Sequence, residues 1–278
     1  MPKAEATLLE AIDRFESVFS VFRLDSELAR WRLAGEVTTV SEDLGHLLRL
    51  ALGWQQRSSG VFNPAAGILS ARWARAEIEK IVPSTEELRT LAGEITKPRY
   101  SIDGKTVTKL ADCSSLNFNA IAKGLVVDLA SNVVMEKYRL STLLVNVGGD
   151  LVHHGQDQIV VAIEDPRRPY DNAESLTRVP ICGQGLATSG SARRGFRIRD
   201  RWFSHVLDTR TGQPVDTVLS ATVIGPDAAT ADVVATAASV LSPADGIAFV
   251  ETVENTSALV VGEATVMSSR WPRTLTES

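Results

Sequence analysis

Several of the features that mark a specialised protein class are scarce in this chain. Its 278 residues contain two cysteines, Cys113 and Cys182, which is too few for a disulfide scaffold and lacks the spacing of a metal site. No run approaches the roughly 18 uninterrupted apolar residues of a membrane helix. Positive charge is in deficit: 29 Lys and Arg against 34 Asp and Glu leave a net charge of −5. That sign argues against a partner built on phosphate backbones, so no nucleic acid is expected. No repeat, low-complexity tract or Gly/Ser linker divides the chain. The opening MPKAEATLLEAIDRFESVF carries acids where a secretory segment would be continuously apolar. As written, the expectation is a cytoplasmic protein, or a periplasmic or cell-surface one if the N-terminus is truncated.

What remains is the composition of a globular protein, with 44% hydrophobic and 23% charged residues and a mean hydropathy of +0.01. Such a chain buries a core, and disorder is excluded for most of it. Length alone suggests roughly two domains. With no linker to separate them, the expectation is one bilobed unit over residues 1–278.

Apolar residues at Leu8, Leu9, Ile12, Phe15 and Phe19 have helical spacing. Ser41, followed by Glu42 and Asp43, reads as the N-cap of a helix running through Leu44, Leu47, Leu48, Ala51 and Trp54 to Gly60. Ser84 and Glu87 read as a capping box. YSIDGKTVTKL alternates around Asp103-Gly104 and predicts a hairpin. A helix is expected over 122–138, strands over 142–147, 158–165, 196–202, 203–208, 219–225 and 257–261, and helices over 228–241 and 243–253. Helices come first and strands with few helices follow, which is α+β or mixed α/β.

Five segments carry candidate chemistry. FNPAAG (62–67) is a loop of small residues that lets backbone amides approach a ligand; read alone, an ordinary Pro/Gly loop is the plainer reading. LNFNAIAKG (116–124) puts Lys123 in the first turn of a helix, where a cation opposes the dipole unless an anion binds there; a solvated lysine is the alternative. VNVGGD (145–150) ends a strand in a double glycine that allows either a tight turn or a close backbone approach, with a turn cap as the plain reading of Asp150. LATSG (186–190) precedes WFSHVLDTRTGQPV (202–215). There His205, read as a strand residue with Ser204 beside it and Asp208 close by, suits a general base or a hydrogen-bonded structural role. His153 and His154 are placed in a loop and His46 on a helix. TADVVAT (230–236) sets Asp232 and Thr236 on one helical face, two hard oxygen donors of the kind Mg²⁺ takes; a helix-start acid and a back-bonded threonine are the plainer reading. The arginines at 193, 194, 197, 199 and 201 alternate with Phe196 and Ile198 and read as the solvated face of a strand.

In this order the segments resemble the ApbE family of FAD:protein FMN transferases, formerly described as thiamine-biosynthesis lipoproteins. The pieces that carry the resemblance are VFRLDSELAR (21–30), FNPAAG, LNFNAIAKGLVVD (116–128), LLVNVGGDL (143–151), LATSG, HVLDTRTGQPV (205–215) and ATVIGPDAATADVVATAASVL (221–241). The resemblance covers about Phe19 to Val250. It implies an α+β fold of mixed sheets with packed helices, here without the strand that precedes the first helix in the family. It also implies Mg²⁺-dependent cleavage of the FAD pyrophosphate, attachment of FMN to a Thr or Ser of an acceptor protein with a Ser/Thr-Gly-Ala-Thr-like motif, and release of AMP. By that likeness Ala65, Ala66 and Gly67 line the flavin, Asn117 and Lys123 hold the FAD, and a Thr188-Ser189-Gly190 turn lies near it. The Ala120 carbonyl, Asp232 and Thr236 bind the metal, and His205 takes the proton of the acceptor hydroxyl. The sheet edge left by the absent strand is expected to favour a homodimer. Two other outcomes fit the same residues: FAD hydrolysis to FMN and AMP, and flavin binding without catalysis.

Overall fold

A computed structural model describes residues 2–168, 173–191 and 194–272, so Arg193 of the arginine run lies outside the described residues. The chain opens with α1 (Pro2–Phe19), whose Phe15 and Phe19 are buried as their spacing predicts. α2 (Glu27–Leu33) begins at Ser26, whose hydroxyl accepts the Ala29 N–H at 3.0 Å. β1 (Val37–Thr39) leads to α3 (Glu42–Arg57), capped by Ser41 through the Leu44 N–H at 3.1 Å. α4 (Ala66–Glu79) precedes α5 (Thr85–Glu94), where Ser84 accepts from the Glu87 N–H at 3.1 Å. The Glu87 side chain does not complete the expected capping box, because it pairs with Arg72. β2 (Tyr100–Asp103) and β3 (Thr106–Lys109) form the predicted hairpin, and β1 adds to the free side of β3.

α6 (Asn119–Tyr138) starts three residues before the predicted Ala122. The strands β4 (Leu143–Val147), β5 (Asp150–His154), β6 (Ile159–Ile163), β7 (Thr177–Ile181) and β8 (Gly185–Gly190) follow. β9 (Gly195–Ile198) and β10 (Arg201–Ser204) are a short hairpin, then come β11 (Val218–Gly225), α7 (Ala228–Val240), α8 (Pro243–Glu251), β12 (Ser257–Gly262) and β13 (Thr265–Met267). Three expectations are corrected here. His153 and His154 belong to β5 and not to a loop, and Thr188 to Gly190 form strand β8 and not a turn. β10 ends at Ser204, so His205 lies in a bend just beyond it. Period-two pairing explains the first two: both segments are held on a neighbouring strand, which no local signal announces.

The elements form an α+β fold and divide into two compact units. One comprises Asp13–Ala122 and Gly195–Val215. Its core is aromatic: Trp73 stacks against Phe196 and packs on Phe203, while its indole N–H donates to the Gly212 carbonyl at 2.9 Å. Trp31 meets Tyr100 edge to face.

The other unit, Met1–Ile12 with Lys123–Arg194 and Asp216–Ser278, is built on an antiparallel sheet of order β13-β12-β11-β8-β5-β4. Leu151, Leu186, Ile224 and Leu259 face the β6–β7 pair, which contributes Ile163, Val179 and Ile181. α7 packs on β8 and β11, and its buried Ala and Val residues suit a helix buried nearly all round.

Candidate active site

Three charged side chains converge in the sheet-based unit: Lys123 from α6, Asp150 from the start of β5 and Asp232 from α7. The Lys123 ammonium donates to Oδ2 of Asp150 and lies 3.4 Å from Oδ1 of Asp232. The two acid side chains are 2% and 6% exposed while the lysine keeps 52%, so one solvent-reachable cation offsets two buried carboxylates. Oδ2 of Asp232 is buried and has no hydrogen-bond partner among the described residues. Burial pushes both carboxyls above their usual range; at Asp232 the charge of Asp150 adds to the rise and the Lys123 ammonium opposes it. For Lys123 burial works downward, and the charges of Asp232 and Asp150 outweigh it and hold the ammonium above its ordinary value.

This convergence depends on how α6 meets α7. A Cβ on Gly124 would stand 2.4 Å from the Ala228 carbonyl oxygen, so only glycine permits the approach. Asp128, one turn further along α6, accepts the N–H groups of Ala228 at 2.9 Å and Ala229 at 2.8 Å. Asp227 caps the same helix through the Thr230 N–H at 2.6 Å. The first-turn amides of α7 are thus used within the protein. Burial drives the Asp128 carboxyl up to about 7 against the pull of the two amides.

Lys123 is the fifth residue of α6 and not in its first turn, so its partners Asp150 and Asp232, rather than an anion at the helix start, explain its position. Ala120 sits one turn before Gly124 on α6, and the Gly124 N–H faces the Asp232 carboxylate and draws its pKa down. Thr236 follows Asp232 by one turn on the same face of α7. Ser189 joins that turn indirectly, for its hydroxyl meets Ser239 Oγ at 3.0 Å and Ser239 Oγ donates to the Thr236 carbonyl at 2.8 Å. Thr188 pairs with Thr222 across β8 and β11 at 2.9 Å, and Gly190 lies opposite Ser220.

In the aromatic-core unit the loop before α4 and the loop before α6 are tied together, since the Asn117 N–H donates to the Pro64 carbonyl at 2.8 Å. Asn63 Oδ1 accepts from Ala65 N–H at 2.9 Å, and Ala66 and Gly67 open α4. A Cβ on Gly67 would fall 1.9 Å from the Ser115 carbonyl oxygen, so this glycine is required by its own neighbours and not only by a ligand. The side chain of the exposed Asn117 accepts from the Asn119 N–H at 2.9 Å, at the start of α6. His205 is exposed, and the Asp208 carboxylate three residues on accepts from the Arg210 guanidinium at 2.9 Å. A cavity of about 780 Å³ in this unit, lined by Leu52, Gln56, Asn63, Tyr100 and Arg210, contains none of the expected site residues.

Sequence reasoning does not single out Asp150 and Asp128 as partners. The Gly148-Gly149 turn is closed by Asn146 Oδ1, which accepts the Gly149 N–H at 3.1 Å, so Asp150 is released from the capping role expected of it. For Asp128 there is a signal, an acid within the apolar run LVVDLA, since such acids are rarely left unpaired. No group of three or more His, Cys, Asp or Glu is placed to hold a metal among the described residues, and no described helix is long and apolar enough to cross a membrane.

Residues 2–260 match the model of the ApbE family. The chain is 31% identical over 218 residues to an FAD:protein FMN transferase of Rhodobacter capsulatus, covering 76% of this chain and 41% of that protein. It is 27% identical over 233 residues to one of Klebsiella pneumoniae, covering 81% and 72%. Among solved structures, the ApbE protein of Thermotoga maritima superposes with a TM-score of 0.86 at 25% identity, over 98% of this chain and 92% of the other. The flavinyl transferase ApbE of Pseudomonas stutzeri, in its apo form, does so with 0.80 at 26% identity, over 96% and 86%.

Proposed function

This chain belongs to the ApbE family, and from that membership we propose that it is an FAD:protein FMN transferase with FAD as substrate and a protein as acceptor. The hydroxyl oxygen of an acceptor Thr or Ser attacks the phosphorus on the riboflavin side of the FAD pyrophosphate. The bond to the bridging oxygen breaks, AMP leaves with that oxygen, and the hydroxyl proton passes to His205. The acceptor segment carries a Ser/Thr-Gly-Ala-Thr-like motif, and a homodimer through a sheet edge belongs to the same proposal.

The observation that carries the reading is Asp232, whose inner oxygen is buried without a hydrogen-bond partner among the described residues, beside a lysine that already serves two acids. An uncompensated carboxylate oxygen suits a hard cation, and with the Thr236 hydroxyl and the Ala120 carbonyl it makes an all-oxygen donor set of the kind Mg²⁺ takes. When bound, Mg²⁺ draws negative charge from the pyrophosphate oxygens. Lys123 sets an ammonium beside the same phosphates, and with Asn117 it holds the FAD. Ala65, Ala66 and Gly67 line the flavin, and Thr188, Ser189 and Gly190 lie near it. His205, exposed at the end of a hairpin, is accessible to an incoming hydroxyl.

The test is the intact mass of an acceptor domain bearing the motif after incubation with this protein, FAD and Mg²⁺. A gain of one FMN that is absent with EDTA and with His205→Ala is the expected result. Free AMP without a gain in mass would make the protein a hydrolase of FAD; intact FAD, bound and unturned, would make it a flavin-binding protein.

A further inference from the structure

Asp150 has no role in the reaction as proposed, yet it makes the shorter of the two contacts to Lys123. Its carboxylate is fixed: Asp150 is the first residue of β5, paired across the Gly148-Gly149 turn with Val147, and its side chain is nearly wholly buried. Asp150 and Asp232 are the carboxylates within ion-pair reach of Lys123 among the described residues. An ammonium shared between two acids settles on whichever holds it better.

We infer that Asp150 is a positioning residue that holds the Lys123 ammonium away from Asp232 and so leaves Asp232 open to a divalent cation. This rests on the metal seat proposed above. Were the charge of Asp150 removed, Asp232 would be the anion left within reach, and the ammonium would close the 3.4 Å gap to it. A divalent cation would then have to displace a lysine. Asp150 acts through Lys123, so its influence on the cation disappears when Lys123 is replaced. A carboxylate that merely adds negative charge, or merely supports the fold, has the same effect with or without the lysine.

Mg²⁺ binding to the full chain without FAD, followed by titration calorimetry, separates these cases with Asp150→Asn, Lys123→Gln and the double variant. The expected result is that Asp150→Asn raises the Mg²⁺ Kd by a factor at least about fivefold larger in the parent chain than in the Lys123→Gln background. Equal factors in the two backgrounds would overturn the inference while leaving the metal seat standing. Should Lys123→Gln fail to fold by circular dichroism, Asp150→Glu decides. It keeps the charge, and its Kd is expected within about threefold of the parent, whereas a Kd as high as that of Asp150→Asn overturns the inference. A parent chain that takes up no Mg²⁺, or takes it up equally after Asp232→Asn, would remove the seat itself and the inference with it.

Discussion

The carboxylate of Asp128 accepts the backbone N–H of Ala228 at 2.9 Å, so one helix supplies the cap of another. The second oxygen takes the Ala229 N–H at 2.8 Å. Asp128→Ala leaves two helix-end donors without partners and is expected to cost at least about 2 kcal/mol. Asp128→Asn keeps one acceptor and turns an N–H₂ toward the second amide, so it should fall between the two. Urea midpoints of the three proteins check the order.

The same residue sets a pH dependence. Burial raises the Asp128 carboxyl to about 7 from 3.8, with the charge of Asp227 adding to the rise and the two amides opposing it. The folded state therefore binds the proton more tightly than the unfolded chain. Its contribution to stability is fully present below about pH 4, declines as pH rises, and is gone above about pH 7. The stability of the parent relative to Asp128→Asn should fall across that interval; a difference that rises with pH would contradict the assignment.

Gly124→Ala places a methyl 2.4 Å from the Ala228 carbonyl oxygen, which belongs to backbone and cannot swing aside. The helices must part, at a cost of about 1–3 kcal/mol. Since Lys123 and Asp232 ride on those helices, flavin transfer should fall more than the melting temperature suggests. Parallel thermal melts and transfer assays would show it.

Asp232→Asn removes a buried charge whose inner oxygen has no hydrogen-bond partner among the described residues, while Lys123 keeps Asp150. Without metal, the variant should melt no lower than the parent, because the desolvation cost of the carboxylate is gone. Transfer should drop by at least about a hundredfold. Calorimetry and acceptor mass read the two effects separately.

His205→Ala alters an exposed bend and should change stability by less than about 0.5 kcal/mol. If His205 is the base, the rate of transfer falls by about 10²–10⁴. Single-turnover release of AMP measures the step, and an unchanged rate would assign the proton to another acceptor.

The local features are legible because their causes are local. Ser41 and Ser84 cap their helices as read, since a hydroxyl three residues before an N–H needs no other part of the chain. The Asp103-Gly104 hairpin and the apolar α7 follow from turn chemistry and composition in the same way. The Glu87 side chain departs from its expected capping role for the opposite reason: its partner, Arg72, comes from a different helix.

By itself, then, the sequence determined six of the helices, the hairpin, the α+β class and the order of motifs that marks the family, while α2 and α4 were not read from it. Each is written in residues a few positions apart. Only the tertiary structure decided which side chains Lys123 meets. Its partners lie 27 and 109 residues away along the chain, and the glycine contact and Asp128 clamp that bring α6 and α7 together leave no periodic signature. Charge pairing in a buried site depends on distance in space, and spacing along the chain does not encode it.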